Sequence, residues 1–161
     1  MNQMSPFDMQ DTGAEADAPR LSQQATAFKI MRSGAKPLNF EGIELCMAMS
    51  YVPGAPYWYE INLYRTTEQR FVAAVRIFFR SEDERDRARA WEVETFDAAL
   101  DKLEAYDASE DIRVQMFADE TQASPAELAA HGFSLMAKAQ AAQHQYGGLL
   151  GEILYELENS A

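Results

Sequence analysis

The chain is poor in cysteine, histidine and positive charge, and each shortage narrows what it can do. A single cysteine, Cys46, leaves no internal disulfide framework and suits a reducing, cytoplasmic setting. With no Cys-x-x-Cys or His-Glu-x-x-His pattern, no metal and no cofactor are expected. The two histidines, His131 and His144, fall on one predicted helix; at about 100° per residue they point in different directions, as surface or interface residues. No apolar run approaches the roughly eighteen residues that a membrane span needs. The opening MNQMSPFDMQDTGAEADAPR has neither a basic start nor an apolar stretch, so no signal peptide is expected. Lys and Arg number 14 against 26 Asp and Glu, a net charge of −12 that opposes a nucleic-acid partner.

The deficit is uneven. Residues 28–80 hold seven Lys/Arg and four Glu, a local +3, whereas residues 81–120 hold five basic and fourteen acidic side chains, a local −9. The locally basic part is also the part richest in β-type residues. Residues 1–20 are polar, acidic and without period, and read as a disordered tail. Residues 21–120 read as an antiparallel sheet with a helix, and 121–161 as a helical segment packed on the sheet or on a second subunit.

Tyr57 to Arg80 is the centre of the chain. Tyr59, Ile61, Leu63, Ala73, Val75 and Ile77 alternate along two runs joined by a polar turn, so they share one apolar face of a hairpin. If Arg65 faces Phe71, every opposed pair sums to 136. Trp58 then meets Phe78, Glu60 meets Arg76, and Tyr64 meets Val72 on the other face. Cross-strand aromatic and opposite-charge pairs contribute about 0.2–1 kcal/mol each, which favours this register. Ile43, Leu45, Met47, Met49 and Tyr51 alternate as an earlier strand with Cys46 on its outward side, an inert structural thiol. Residues 21–32 suit either element: Leu21, Ala25 and Phe28 fit a helix, Phe28 and Ile30 a strand. Residues 27–32 are read as a strand, because Ser33-Gly34 and Lys36-Pro37 then make the turn.

Further on, Ser81 to Ala90 reads as a solvated charge run and Trp91, Val93 and Thr95 as a strand. Residues 97–106 read as a short amphipathic helix on the inner sheet face. Ile112, Val114 and Met116 suggest a last strand or extended linker. Ser124-Pro125-Ala126-Glu127 carries three helix-start signals. After it, Leu128, Gly132, Leu135, Ala139, Ala142, Tyr146, Leu149 and Ile153 form a heptad-like seam, the candidate interface. Gly147-Gly148 predicts a break or kink. Because this pair precedes an apolar helix and not a strand-to-helix phosphate loop, it offers no nucleotide site. The fold class is α+β: a curved antiparallel sheet of four to five strands, a short helix on one face and a long C-terminal helix.

The pattern Phe40-x-Gly42, Trp58-x-Glu60-x-x-Leu63-Tyr64-Arg65-Thr66 and Phe71-Val72 resembles a motif of small uncharacterised bacterial domains, over residues 28–106. It departs from that motif where Thr67-Glu68-Gln69-Arg70 replaces a glycine turn, and the family carries no activity to transfer. In element order alone the chain resembles the single-stranded-DNA-binding transcriptional regulators of the PC4 and whirly type. That is a likeness of element order, and fold does not carry function. Read from the residues, the sharper hypothesis has Trp58, Tyr64 and Phe78 stacking bases while Arg65, Arg76 and Arg80 meet phosphates. The first expectation, also from the residues, is a non-catalytic self-association or protein-interaction module, a homodimer, with the C-terminal helix covering the Trp58, Tyr64 and Phe78 face. Single-stranded nucleic-acid binding is the alternative, and small-ligand binding or an unrecognised enzyme is the third reading.

Overall fold

The central hairpin adopts the register that its alternation requires. In the computed structural model, which describes residues 24–116 and 124–160 (113–116 by backbone alone), β3 (Tyr57–Thr66) pairs with β4 (Phe71–Phe79). Trp58 lies opposite Phe78, Glu60 opposite Arg76, and Arg65 opposite Phe71. Its tight turn is closed by the Gln69 N–H donating to the Thr66 carbonyl (3.0 Å) and by the Arg70 N–H donating to Thr66 Oγ1 (3.0 Å). Gln69 takes the left-handed backbone region, φ 64°, where a glycine would be at ease.

Around this hairpin the sheet is a five-stranded antiparallel meander in chain order. β1 (Thr26–Arg32) pairs with β2 (Ala35–Met49), β2 with β3, and β4 with β5 (Arg87–Val93). Irregularities interrupt the register at Ile30/Arg32 and Glu44/Cys46. An extra residue on one strand bends it and raises its twist, and the sheet curls until its first strand reaches its last. The Ser33 N–H donates to the Ala88 carbonyl (2.8 Å), and the Ala88 N–H donates to Ser33 Oγ (2.9 Å). Gly42 allows the close approach: a Cβ there would lie 2.2 Å from the Arg65 carbonyl oxygen. The Gly42 of the Phe-x-Gly pattern thus has a packing reason in the Arg65-Thr66 end of β3.

Two cores result. The even-numbered hairpin face is the inside of the curl, where Ile30, Tyr64, Val72, Ala74 and Ala90 pack with Phe28, Leu38 and Phe40. The odd face is the outside, and its Tyr59, Ile61, Leu63, Val75 and Ile77 are covered by three helices. α1 (Phe96–Ala105), capped by Thr95 Oγ1 accepting from the Ala98 N–H (3.1 Å), contributes Ala99 and Leu103. α2 (Ser109–Met116) adds Ile112, and α3 (Pro125–Asn159) adds Ala142, Tyr146, Leu149, Leu150 and Ile153.

Several expectations need correcting. The C-terminal helix does not cover the Trp58, Tyr64 and Phe78 face; it shares the odd face with α1. The even face is already filled from within by β1 and β2, while the odd face is broader than a ten-residue helix can cover. The second correction concerns β2. Glu44 lies opposite Tyr64 and Cys46 opposite Leu63, so the bulge at Leu45 exchanges the faces beyond it. Cys46 and Ala48 therefore turn to the main core, and Met47 and Met49 are exposed on the opposite side. Residues 109–116 form a helix, not a strand or linker. β5 begins at Arg87, inside the stretch read as a charge run. α3 runs through Gly147-Gly148 as one helix of 35 residues, held by the capping box of Ser124 and Glu127. The tail at 1–20 lies outside the described residues.

Candidate functional site

Along α3 the predicted seam divides in two. Ala139, Ala142, Tyr146, Leu149 and Ile153 are buried within their own chain, so five of the eight expected interface residues belong to the core. Tyr146 also donates its hydroxyl to the Leu103 carbonyl, and Gln145 Nε2 reaches Ser50 Oγ at 2.9 Å. These bonds fix the C-terminal half of the helix to α1 and to the β2–β3 connection. The N-terminal half, residues 125–138, is exposed except for half-buried Leu135. Leu128 is 43% exposed, Phe133 75% and Met136 60%.

This free half is amphipathic. At about 100° per residue, Leu128, Gly132 and Leu135 fall on one stripe with Met136 beside it, while Glu127, His131, Ser134 and Lys138 fall on a polar stripe. It is about 21 Å long at 1.5 Å per residue. From 125 to 151 its only charges are Glu127 and Lys138, in a chain of net −12.

The residues expected to meet nucleic acid are dispersed by the curl. Tyr64 is 4% exposed, its ring packed against Phe28 and Phe40 at centroid distances of 4.8 and 5.4 Å. Burial, then the neighbouring Glu44, pushes its hydroxyl up to about 12. Arg76 Nη2 pairs with Glu60 Oε1 at 2.6 Å and its guanidinium lies 5.5 Å from the Phe78 ring centroid. Arg65 donates to Gln69 Oε1. Trp58 and Phe78 do stack, with centroids 5.8 Å apart and planes 20° apart, and Tyr51 meets Trp58 edge-on at 4.9 Å. Arg80 is exposed near the same rim.

A third constellation had no signal in the sequence. Asp111, 2% exposed, accepts from the Tyr59 hydroxyl (3.1 Å) and the Tyr106 hydroxyl (2.5 Å) on Oδ2. Its Oδ1 lies 3.8 Å from Arg87 Nη1, which is buried without a hydrogen-bond acceptor. Burial raises the Asp111 carboxyl, against the lowering effect of the two hydroxyls, of Arg87 and of Arg89. Burial and Asp111 together raise both phenols. Beside this group a cleft of about 460 Å³ opens between β5, α1 and α2.

Burial, then Glu156 and Glu44, pushes the Cys46 thiol up to about 11, which disfavours its thiolate. Among the described residues no three His, Cys, Asp or Glu side chains gather as a metal site, and no helix is long and apolar enough to cross a membrane. Comparison with protein-family models, curated proteins and solved structures gave no match.

Proposed function

We propose that the chain is a non-catalytic self-association module that forms a homodimer through residues 125–138 of α3. The observation that carries this is the continuity of one stripe. Its C-terminal part is buried in the chain's own core, and its N-terminal part leaves Leu128 in solvent with Met136 beside it. A free helix of about 14 residues is marginal in water, and most helical stability comes from packing an apolar face. The occupant argued for is a second copy. Two chains of net −12 repel each other, and this arm, with one acid and one base, is where they meet with least electrostatic cost.

Sedimentation equilibrium on the full chain tests this. The mass should approach twice 18.1 kDa as concentration rises, and Leu128→Glu or Met136→Glu should return it to one chain without loss of helix. Removing 125–161 outright is less informative, because it also strips Tyr146 and Ile153 from the core. A chain that stays monomeric at all attainable concentrations would overturn the proposal.

Single-stranded nucleic acid is the second reading, supported by the stacked Trp58–Phe78 pair beside exposed Arg80. The burial of Tyr64 and the Glu60–Arg76 pair weigh against it. Salt separates the two. Dimerisation of like-charged chains should tighten as salt screens their repulsion, whereas strand binding should weaken steeply. No retention of a labelled strand at low salt removes the second reading.

A further inference from the structure

We propose that in the homodimer the two arms lie antiparallel and cross at Gly132, so that Leu128 of each copy packs against Met136 of the other. This geometry rests on the homodimer through residues 125–138 and fixes how its two helices meet.

Gly132 marks the crossing point. It is exposed inside α3, and a Cβ built on it would meet nothing within 4 Å. Packing within the chain therefore does not require glycine there, and glycine is the poorest helix former after proline. A second backbone passing close by does require it, because the missing Cβ lets the two helices approach. Gly132 is also the midpoint of the free apolar row. Leu128, Gly132 and Met136 stand at i, i+4 and i+8, with Leu128 43% and Met136 60% exposed. Rows of this spacing form ridges, and two such rows interlock when helices cross at about −50°. A two-fold axis at Gly132 then sets Leu128 of one copy level with Met136 of the other, twice over. Leu135, beside this row, stays packed on its own core.

The direction follows from charge and bulk. Each arm leads into its own folded body at Ala139, the first buried residue of α3. Parallel arms would bring two bodies, each from a chain of net −12, to the same end. Antiparallel arms hold them at opposite ends. Glu127 lies five residues before Gly132 and Lys138 six after it. Antiparallel arms therefore set the acid of one copy level with the base of the other, whereas parallel arms set like against like. Both residues sit on the polar stripe, so the gain is relief of repulsion and not a buried ion pair.

The test is disulfide formation between copies of the full chain carrying Cys46→Ala, so that each variant holds one thiol. Gly132→Cys should close a bond with its own second copy, and Leu128→Cys should close one with Met136→Cys when the two are mixed. Leu128→Cys alone should react at least about tenfold more slowly than that mixture. Its two thiols would lie about 12 Å apart along the helices, beyond the roughly 7 Å that a disulfide spans between Cα atoms. Gly132→Leu gives a second readout: dimerisation should weaken at least about tenfold by sedimentation equilibrium, with the helical circular dichroism signal retained. Three results overturn the geometry and leave the homodimer standing. They are Leu128→Cys closing on itself faster than on Met136→Cys, a dimer in which the mixture does not close, and a Gly132→Leu chain that dimerises unchanged. An unsubstituted chain that sediments as one copy removes the homodimer and this geometry with it.

Discussion

Two truncations on the same stripe of α3 should have opposite consequences. Ile153 is fully buried in the main core. Cutting it to alanine removes three carbon groups at about 0.8 kcal/mol each and leaves a cavity, for a total of about 2–5 kcal/mol. Leu128 is 43% exposed, so within one chain the same truncation should cost less than about 0.5 kcal/mol, the range of surface substitutions. In a symmetric dimer, however, Leu128→Ala acts twice. If each leucine loses about 1 kcal/mol of contact, dimerisation weakens by about 2 kcal/mol, or roughly thirtyfold in Kd. Urea unfolding of dilute chain reads the first effect, and sedimentation equilibrium reads the second. Ile153→Ala should move the urea midpoint and Leu128→Ala the dimer mass. If Leu128→Ala shifts the midpoint as far as Ile153→Ala and leaves the mass untouched, the arm packs within its own chain and the reasoning fails.

Glycine positions give a contrasting pair. Gly42→Ala forces a Cβ to 2.2 Å from backbone that cannot step aside, so urea unfolding should show a loss of about 3 kcal/mol or more. Gly147→Ala and Gly148→Ala place their Cβ atoms in open space inside a helix, and each should raise stability by about 0.8–1 kcal/mol on the same assay. The buried Asp111 sets a pH dependence. Its carboxyl is raised in the folded state, so its contribution is complete below the unfolded value near 4 and is lost as pH rises through the folded value. Relative to Asp111→Asn, which cannot ionise, the natural chain should therefore gain stability from pH 7 down to about pH 4. A difference of opposite slope would show that the hydroxyls and Arg87 outweigh burial.

The central hairpin was fully legible because its information is local. Alternation set its faces, the polar run at 66–70 set its turn, and Glu60 with Arg76 set its register. The start of α3 was legible for the same reason, through Ser124, Pro125 and Glu127. The bulge at Leu45 was not, since Ile43 to Tyr51 alternates without a flaw and only pairing with β3 exchanges its faces. α2 was hidden by its own chemistry. Its inward side includes Ser109 and Asp111 alongside Ile112, with Ala108 just before it, so a buried face spelled partly in polar residues carried no helical apolar period. β5 was masked by arginines at 87 and 89, although the alternating Ala88 and Ala90 lie opposite Arg76 and Ala74 inside the curl.

The curl also decides which surfaces remain for function. Had the sheet stayed open, Trp58, Tyr64 and Phe78 would form one aromatic platform, with Arg76 still paired to Glu60 across the hairpin. Gly42 and the two bulges let β1 and β2 fold over, so Tyr64 becomes core and only the Trp58–Phe78 end reaches the rim. The helices must then gather on the odd face, and three elements compete for it. α1 and α2 occupy the side near β5, where their junction leaves the cleft beside Asp111. α3 takes the remainder with its C-terminal half alone. A helix of 35 residues, about 52 Å long, outruns the surface offered to it, and the excess is the apolar, nearly uncharged arm. The cleft and the arm both follow from one cause: a sheet that closes on itself and leaves its helices a single face to share.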